Sequence, residues 1–384
     1  MGLIDSVIGT SSHISGLCHS VVRGELFTTC SSGCIYCYAR WYRGPHGRPK
    51  ARFDIFKLLK SLGELVGRGI PVIPVRFSAL SDPFQPPAKV TLKALKMALK
   101  LRIPIILNTK LQPGEAHLKV MESLAAEGLL LLQVSITGLD EAAIRRLEPF
   151  ASPVEERLRL VEWASEIGIP TIVRIQPFIP GLSDRNVEGF LDEIASAGAR
   201  MVIVEFLRIE RGFLDFFRRL FPGNGVYMEE WESYLPRTPS DEAPLLQAPF
   251  EYRLKIATRI AKEAVKRGLA FATCKEGLFH LHEPKTLDCC GMGFLEAGWT
   301  RRQTLWDLYL EAYEKGRAKP GDLWGRCERE GLLCRERMKV YPGWLRRGLR
   351  VHEKRLEGLL KKPSLVEKIA PALRFENGFY VPKN

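Results

Sequence analysis

The chain has 384 residues, 46% of them hydrophobic and 26% charged, with a formal net charge of +13. That length favours one large domain with a smaller one appended, and the composition excludes a disordered or low-complexity protein. No apolar run reaches the roughly 18 residues of a membrane helix, and the first residues lack the charged start and apolar core of a secretory leader, so a cytoplasmic protein with no membrane partner is expected.

In chain order, Gly24 to Thr29 reads as a strand ending at Cys30. Asp54 to Arg68 reads as a helix with Ile55, Leu58, Leu59, Leu62 and Leu65 on one side. Pro71 to Phe77 is the next strand, and Leu92 to Leu101 the next helix. Strands are expected at Pro104 to Asn108 and Leu129 to Ile136. After the helix Val154 to Ile167 come strands at Pro170 to Ile175 and Met201 to Phe206. Gly69, Gly128, Gly168 and Gly198 stand where helices should stop. Six apolar strands alternating with helices imply a parallel sheet buried on both faces.

Beyond about residue 210 the rhythm breaks. Residues 211–250 are rich in aromatics and proline, with a loop-like stretch from Leu235 to Pro249. A helix at Tyr252 to Arg267 and a short strand at Ala270 to Thr273 lead into Cys274, and polar helices with scattered cysteines follow. The expected division is an N-terminal extension over 1–23, a main α/β domain over 24–240 and a C-terminal helical domain over 241–384. Sparse Asn and Gln beside abundant Lys, Arg and Glu suggest a heat-adapted source.

The nine cysteines carry the chemistry. In a reducing compartment, clustered cysteines point to metal ligands or catalysis rather than disulfides. Cys30, Cys34 and Cys37 fall within eight residues, in a glycine-containing loop after the first strand. Three converging thiolates suit an iron–sulfur cluster and leave one iron open to a further ligand. Structural zinc wants four closed ligands, and the nearest downstream histidine is His46, so zinc is the weaker reading.

This loop, with its aromatic Tyr36 just before the third cysteine, resembles the cluster motif of the radical S-adenosylmethionine (SAM) superfamily. SALSDPFQP over 78–86, SITGLD over 135–140, Leu147-Glu148-Pro149 with Pro153 and Arg157, and GIPTIVRIQPFIPGLSD over 168–184 are similar to segments of its spore photoproduct lyase-like group. The resemblance covers roughly residues 24–210. It implies an α/β fold, a partial (β/α)6 TIM-type barrel; beyond it the chain itself reads as a smaller, mostly helical, cysteine-containing C-terminal domain. It implies a [4Fe–4S] cluster on Cys30, Cys34 and Cys37, and SAM cleaved reductively to a 5′-deoxyadenosyl radical that abstracts hydrogen from a substrate. By position it implies SAM contacts at Tyr36, Ser78, Asp82, Ser135 and Arg174, and a reductant protein such as ferredoxin or flavodoxin. Ser78 and Ser135 could equally cap strand ends, Asp82-Pro83 could be a turn, and Glu205 could be an ion-pair partner of Arg174. Asn108 and Lys110 are cavity or loop residues. No catalytic side chain is assigned.

Cys274, Cys289, Cys290, Cys327 and Cys334 form a candidate second site, for an auxiliary iron–sulfur cluster or zinc, against the plainer reading of buried thiols. Arg301-Arg302, Arg335 to Lys339, Arg346-Arg347 and Lys361-Lys362, interleaved with Trp299, Trp324, Tyr341 and Trp344, are a candidate grip on nucleic acid, against solvated helix faces. Three functional readings stay open: radical chemistry on nucleic acid, the same chemistry on a peptide or small molecule, and a metal-binding nucleic-acid module without catalysis.

Overall fold

A computed structural model describes residues 6–40, 44, 46–220, 231–233, 245–296 and 298–383. The chain passes through α1 (Ser12–Leu17) to β1 (Arg23–Gly24). It then alternates α2 (Asp54–Val66), β2 (Val75–Phe77), α3 (Lys89–Lys100), β3 (Ile105–Thr109), α4 (Glu115–Ala126) and β4 (Leu130–Ser135). After α5 (Glu141–Leu147) and α6 (Val154–Glu166) come β5 (Thr171–Phe178), α7 (Val187–Ser196) and β6 (Met201–Phe206).

Each of these strands pairs in parallel with the next. All their C-terminal ends therefore lie along one edge, where an α/β barrel gathers its functional loops. The helices do stop at the expected glycines, whose φ angles lie between 65° and 82°.

The first strand is shorter than expected. Only Arg23 and Gly24 pair with β2, because the backbone beyond them bonds elsewhere: Lys50 accepts from Thr28, and Leu26 accepts from Arg52. The cluster loop thus leaves from an antiparallel contact with its own returning strand.

The aromatic- and proline-rich region 211–250 holds local structure where it is described. α8 (Leu214–Leu220), β8 (Glu232–Ser233) and β9 (Leu245–Gln247) occur there, and with β7 (Arg208–Glu210) just before them the strands form a small antiparallel sheet. Residues 235–244 of the expected loop lie outside the described residues.

After α9 (Phe250–Lys266), β10 (Ala270–Thr273) pairs in parallel with β6 and becomes a seventh strand of the main sheet. The sheet therefore continues past the boundary expected near residue 240.

Odd and even strand positions face different surroundings. Val75, Ile105, Leu132, Val173 and Val202 pack against helix residues such as Leu58, Ala94, Leu124 and Val161. Ile106, Leu131, Ile172, Ile203 and Ala272 face inward, against Leu287, Cys289, Cys290, Met292 and Leu295. This 287–295 segment plugs the end where the strands begin. Val72 N donates to Gly298 O at 3.1 Å, and Glu296 N donates to Gly128 O at 3.4 Å. The result is a partial α/β barrel, closed below and lined by polar side chains above.

The last region comprises α10 (Leu305–Lys315), α11 (Asp322–Arg329), α12 (Gly343–Leu360), α13 (Pro363–Ile369) and a hairpin of β11 (Leu373–Glu376) and β12 (Phe379–Pro382). It has its own apolar cluster around Trp306, Tyr309, Leu356 and Tyr380. The N-terminal segment is sewn into it. His352 Nε2 donates to Ile8 O at 2.8 Å, and its Nδ1 meets Ser15 Oγ at 2.9 Å.

Arg302 donates to the carbonyls of Ser15 and Cys18, both at 2.8 Å. Arg301 is buried against Asp307 at 2.7 Å. Neither belongs to a surface basic patch, contrary to the sequence expectation, because each satisfies buried groups of the fold. Tyr341, also expected at a surface, is buried with its hydroxyl accepting from Ile73 N at 3.2 Å.

Burial pushes the pKa values of three histidines down: His19 to about 4, and His282 and His352 to about 3. The fold holds them neutral, whereas the unfolded chain protonates them below about pH 6.5. Their contribution is fully present above pH 6.5 and lost as pH falls towards their folded values. Thermal melts at pH 7.5, 6.0, 5.0 and 4.0 are expected to show a falling Tm, beginning well above the carboxylate range; a flat Tm down to pH 5 would contradict this.

Candidate active site

The loop of Cys30, Cys34 and Cys37 lies at the C-terminal edge of the sheet, and three side chains fix its path. Gln85, in the loop after β2, accepts from Ser31 N at 2.7 Å and donates to Thr29 O at 2.8 Å. His46 reaches back so that Nδ1 lies 3.0 Å from Cys30 O and Nε2 3.0 Å from Cys34 O. Tyr36 donates its hydroxyl to Glu148. Gly33 sits at φ +67°, and a Cβ there would lie 2.9 Å from the Phe150 ring, so both backbone and space call for glycine.

Glu148 is the centre of this arrangement. Its Oε1 also accepts from Lys110 at 2.9 Å and from Thr137 at 3.0 Å, and its Oε2 pairs with Arg157 at 2.6 Å. Burial works against the charge, but Lys110 and Arg157 hold its pKa down to about 2. Sequence reasoning quoted Glu148 only within a resemblance; a glutamate between Leu147 and Pro149, in an apolar context, was the available signal.

The three cysteines are free thiols, two buried and one half-buried. Burial pushes the Cys30 and Cys34 thiols up, so a bare thiolate is disfavoured there until a cation replaces the proton. Among the described residues no three His, Cys, Asp or Glu side chains converge on one point as ligands of a single metal ion. A cluster binds each cysteine through a different iron, so its sulfurs stand further apart than those around one ion. The donor set, three thiols in one short fixed loop, fits a [4Fe–4S] cluster better than zinc.

The other candidate residues divide. Ser78, at the end of β2, has φ +54° and a buried hydroxyl without a hydrogen-bond partner among the described residues. An orphan of that kind at the sheet's functional edge is what a bound ligand would satisfy. Ser135 ends β4 half-buried, and its carbonyl accepts from Arg157 at 3.0 Å.

Asp82 is a brace. Its oxygens accept from Phe84 N at 3.0 Å, Thr109 Oγ1 at 3.0 and 3.1 Å and Lys110 N at 2.7 Å, which ties the β2 loop to the end of β3. A carboxylate so engaged is a poor partner for a ligand's amino group, contrary to the sequence expectation.

Arg174 lies within β5, as the register partner of Ser135. It donates to Gln176 Oε1 at 2.6 Å and Gln133 Oε1 at 3.0 Å, and Glu205 is 3.9 Å away. Lys275 and Arg208 share Glu205, at 2.9 and 2.7 Å. Burial opposes this carboxylate's charge too, yet these cations hold its pKa at about 2. Asn108 joins the same layer through Arg76 and Gln133, whereas Lys110 serves Glu148.

The five cysteines of the candidate second metal site do not all come together. Cys327 and Cys334 are joined in a disulfide, inside a small cluster with Leu332 and Trp324. A tight helix-to-turn path brings these two together, which removes them from any ligand set. Cys274, Cys289 and Cys290 line the barrel interior instead.

Residues 25–194 match the family model of the radical SAM superfamily. These residues form a radical SAM domain. The fold agrees: a cysteine mutant of spore photoproduct lyase superposes with a TM-score of 0.53 at 14% identity, over 66% of this chain and 77% of that one. A second mutant of that lyase, with bound AdoMet and dinucleoside spore photoproduct, gives 0.52 at 14% identity, over 66% and 76%. An uncharacterized protein of Acidianus two-tailed virus, ORF301, is 29% identical over 144 residues, 36% of this chain. The chain spans 47% of that relative's length. The loop-fixing residues Tyr36, His46, Gln85 and Glu148 all fall inside the matched segment.

Two substitutions test the loop. Gly33→Ala is expected to lower the iron bound per chain after anaerobic reconstitution, with the circular dichroism of the fold unchanged. Glu148→Gln leaves two buried cations underpaired and is expected to cost about 3–5 kcal/mol of stability, read by urea denaturation. A loss under 1 kcal/mol would deny Glu148 its central place.

Proposed function

We propose that the chain is a radical SAM enzyme that holds a [4Fe–4S] cluster on Cys30, Cys34 and Cys37 and uses SAM to abstract hydrogen from its substrate. When bound, the cluster supplies the electron that splits SAM into methionine and a 5′-deoxyadenosyl radical. The observation that carries this reading is the loop itself: three free thiols fixed by Gln85, His46 and the Tyr36–Glu148 bond, beside the orphaned Ser78 hydroxyl.

The residues of the chain have separate tasks in it. The cysteines hold the cluster, and the Ser78 hydroxyl offers a hydrogen bond to SAM where β2 ends. Ser135 stands ready for the ribose at the end of β4. Tyr36 flanks the adenine side while Glu148 holds its hydroxyl. The plug of Leu287, Met292 and Leu295 keeps water out of the barrel from below.

Nucleic acid is the proposed substrate class, supported by the +13 net charge and by the likeness in fold to a lyase bound to a dinucleoside photoproduct. A low-potential ferredoxin or flavodoxin would supply the electron. No helix among the described residues is long and apolar enough to cross a membrane, and an oxygen-sensitive cluster suits the cytoplasm. The Cys327–Cys334 disulfide is compatible with that location in a heat-adapted source, where intracellular disulfides occur.

Anaerobically reconstituted protein with dithionite and SAM is expected to form 5′-deoxyadenosine, read by chromatography, and Cys34→Ala to form none. Absence of product from protein shown to hold a reduced cluster would reject the reading. In a gel shift with a DNA or RNA duplex, binding is expected to weaken steeply with salt. No binding at low salt would move the substrate to a peptide or small molecule.

A further inference from the structure

The polar layer inside the barrel is built around two arginines that do not balance. Arg76 on β2 is 9% exposed and Arg174 on β5 is 4% exposed. Each points an Nη1 at the same atom, Gln133 Oε1, at 3.0 Å. Asn108 Nδ2 donates to that oxygen as well, at 2.7 Å. An amide oxygen has two lone pairs, so three donors oversubscribe it. Two like charges are thus drawn together on a neutral acceptor in a medium that screens them poorly.

Among the described residues, the carboxylate nearest Arg174 is shared. Arg174, Arg208 and Lys275 share the single carboxylate Glu205. Glu276 is taken by Arg208 at 2.8 Å and Arg253 at 2.6 Å. Among the described residues Arg76 meets no carboxylate; it donates to Asn108 Oδ1, Gln133 Oε1 and, at 3.5 Å, Cys290 Sγ. A buried guanidinium without an anion is costly, and natural proteins keep such a group where a ligand completes it.

We propose that Arg76 and Arg174 form an oxyanion site inside the barrel, which takes a phosphate or carboxylate group of the substrate. Two planar forks meeting at one point suit an oxyanion, whose several oxygens can replace the overloaded Gln133 oxygen. The site adjoins the residues proposed for SAM: Arg174, within β5, is the register partner of Ser135 at the end of β4, and Arg76 stands two residues before Ser78. An acid group held here would anchor the substrate beside the strand ends. Assignment of the anion to a substrate rests on the proposed radical chemistry; the anion site itself does not.

The test uses the full-length chain, with inorganic phosphate and succinate as probes and sodium chloride at matched ionic strength as control, read by thermal shift. Wild-type protein is expected to be stabilised by at least one of the two, and which one names the acid group. Arg76→Gln is expected to weaken that probe about tenfold or more, as loss of charge-assisted bonds implies. Without the probe, Arg76→Gln is expected not to lower the melting temperature, because it relieves like-charge crowding; a lowered melting temperature would mark Arg76 as structural and overturn the site.

Equal stabilisation of both proteins, or none of the wild type, would also overturn it. So would a wild-type thiolate absorbance near 240 nm that disappears in Arg76→Gln and in Cys290→Ser, since Cys290 would then be the missing anion. A weaker SAM affinity in Arg76→Gln would assign the anion to SAM's own carboxylate and overturn the substrate reading. Phosphate or succinate bound at Arg76 by a protein that never forms 5′-deoxyadenosine would keep the anion site and reject the radical chemistry.

Discussion

Glu148 accepts from side chains that arrive on separate stretches of chain: Tyr36 from the cysteine loop, Lys110 after β3, Thr137 after β4 and Arg157 from α6. Its charge survives burial only because two cations face it, and those cations are tolerable only because the carboxylate is there. The cysteine loop has little regular structure of its own, since β1 ends at Gly24. Its shape is therefore borrowed. Leu147 O accepts from Ile35 N, Ser32 O from Phe150 N, and Gly33 slides beneath the Phe150 ring. Take away the glutamate and the loop loses the wall it is moulded against.

The barrel separates two kinds of polarity. At the upper edge, polar groups are paired closely around Glu148 and Asp82, which suits a rigid frame. Deeper in, the arginines, amides and cysteines share partners unevenly. The first arrangement fixes geometry, while the second leaves room for something to bind. Apolar side chains of the 287–295 segment lie directly under the second layer, so the charges above cannot relax into water from below.

Much of the frame was legible in the sequence. Apolar runs such as those at 104–108 and 129–136 became inner strands because buried parallel strands leave a continuous hydrophobic trace. The cysteine loop was legible because three thiols in eight residues have few other uses. What escaped was whatever depended on distant pairing. The segment 24–29 had strand composition, yet its backbone found Lys50 and Arg52 instead of β2. Ala270 to Thr273 was readable as a strand, but not as a partner of β6. Arg76 and Gln133, single polar letters within apolar strands, gave a signal that is easily taken for noise. Arg301 and Arg302 looked like surface charge because composition cannot tell a solvated arginine from one that satisfies buried carbonyls. Cys327 and Cys334 looked like ligands because spacing alone does not say which sulfur meets which.

The stitching of residues 6–24 into α10, α12 and α13 bears on how the molecule is made. Arg302 grips the carbonyls of Ser15 and Cys18, His352 grips Ile8 and Ser15, and Gly16 lies against Leu305, Leu359 and Ile369. The segment that leads into the first strand of the barrel is thus held by helices that follow every strand of the main sheet. A ribosome that has finished every central strand has not yet delivered the parts that fasten the opening one. The opening strand, and the cysteine loop that hangs from it, are consequently fastened by parts of the chain made after all the other strands of the main sheet.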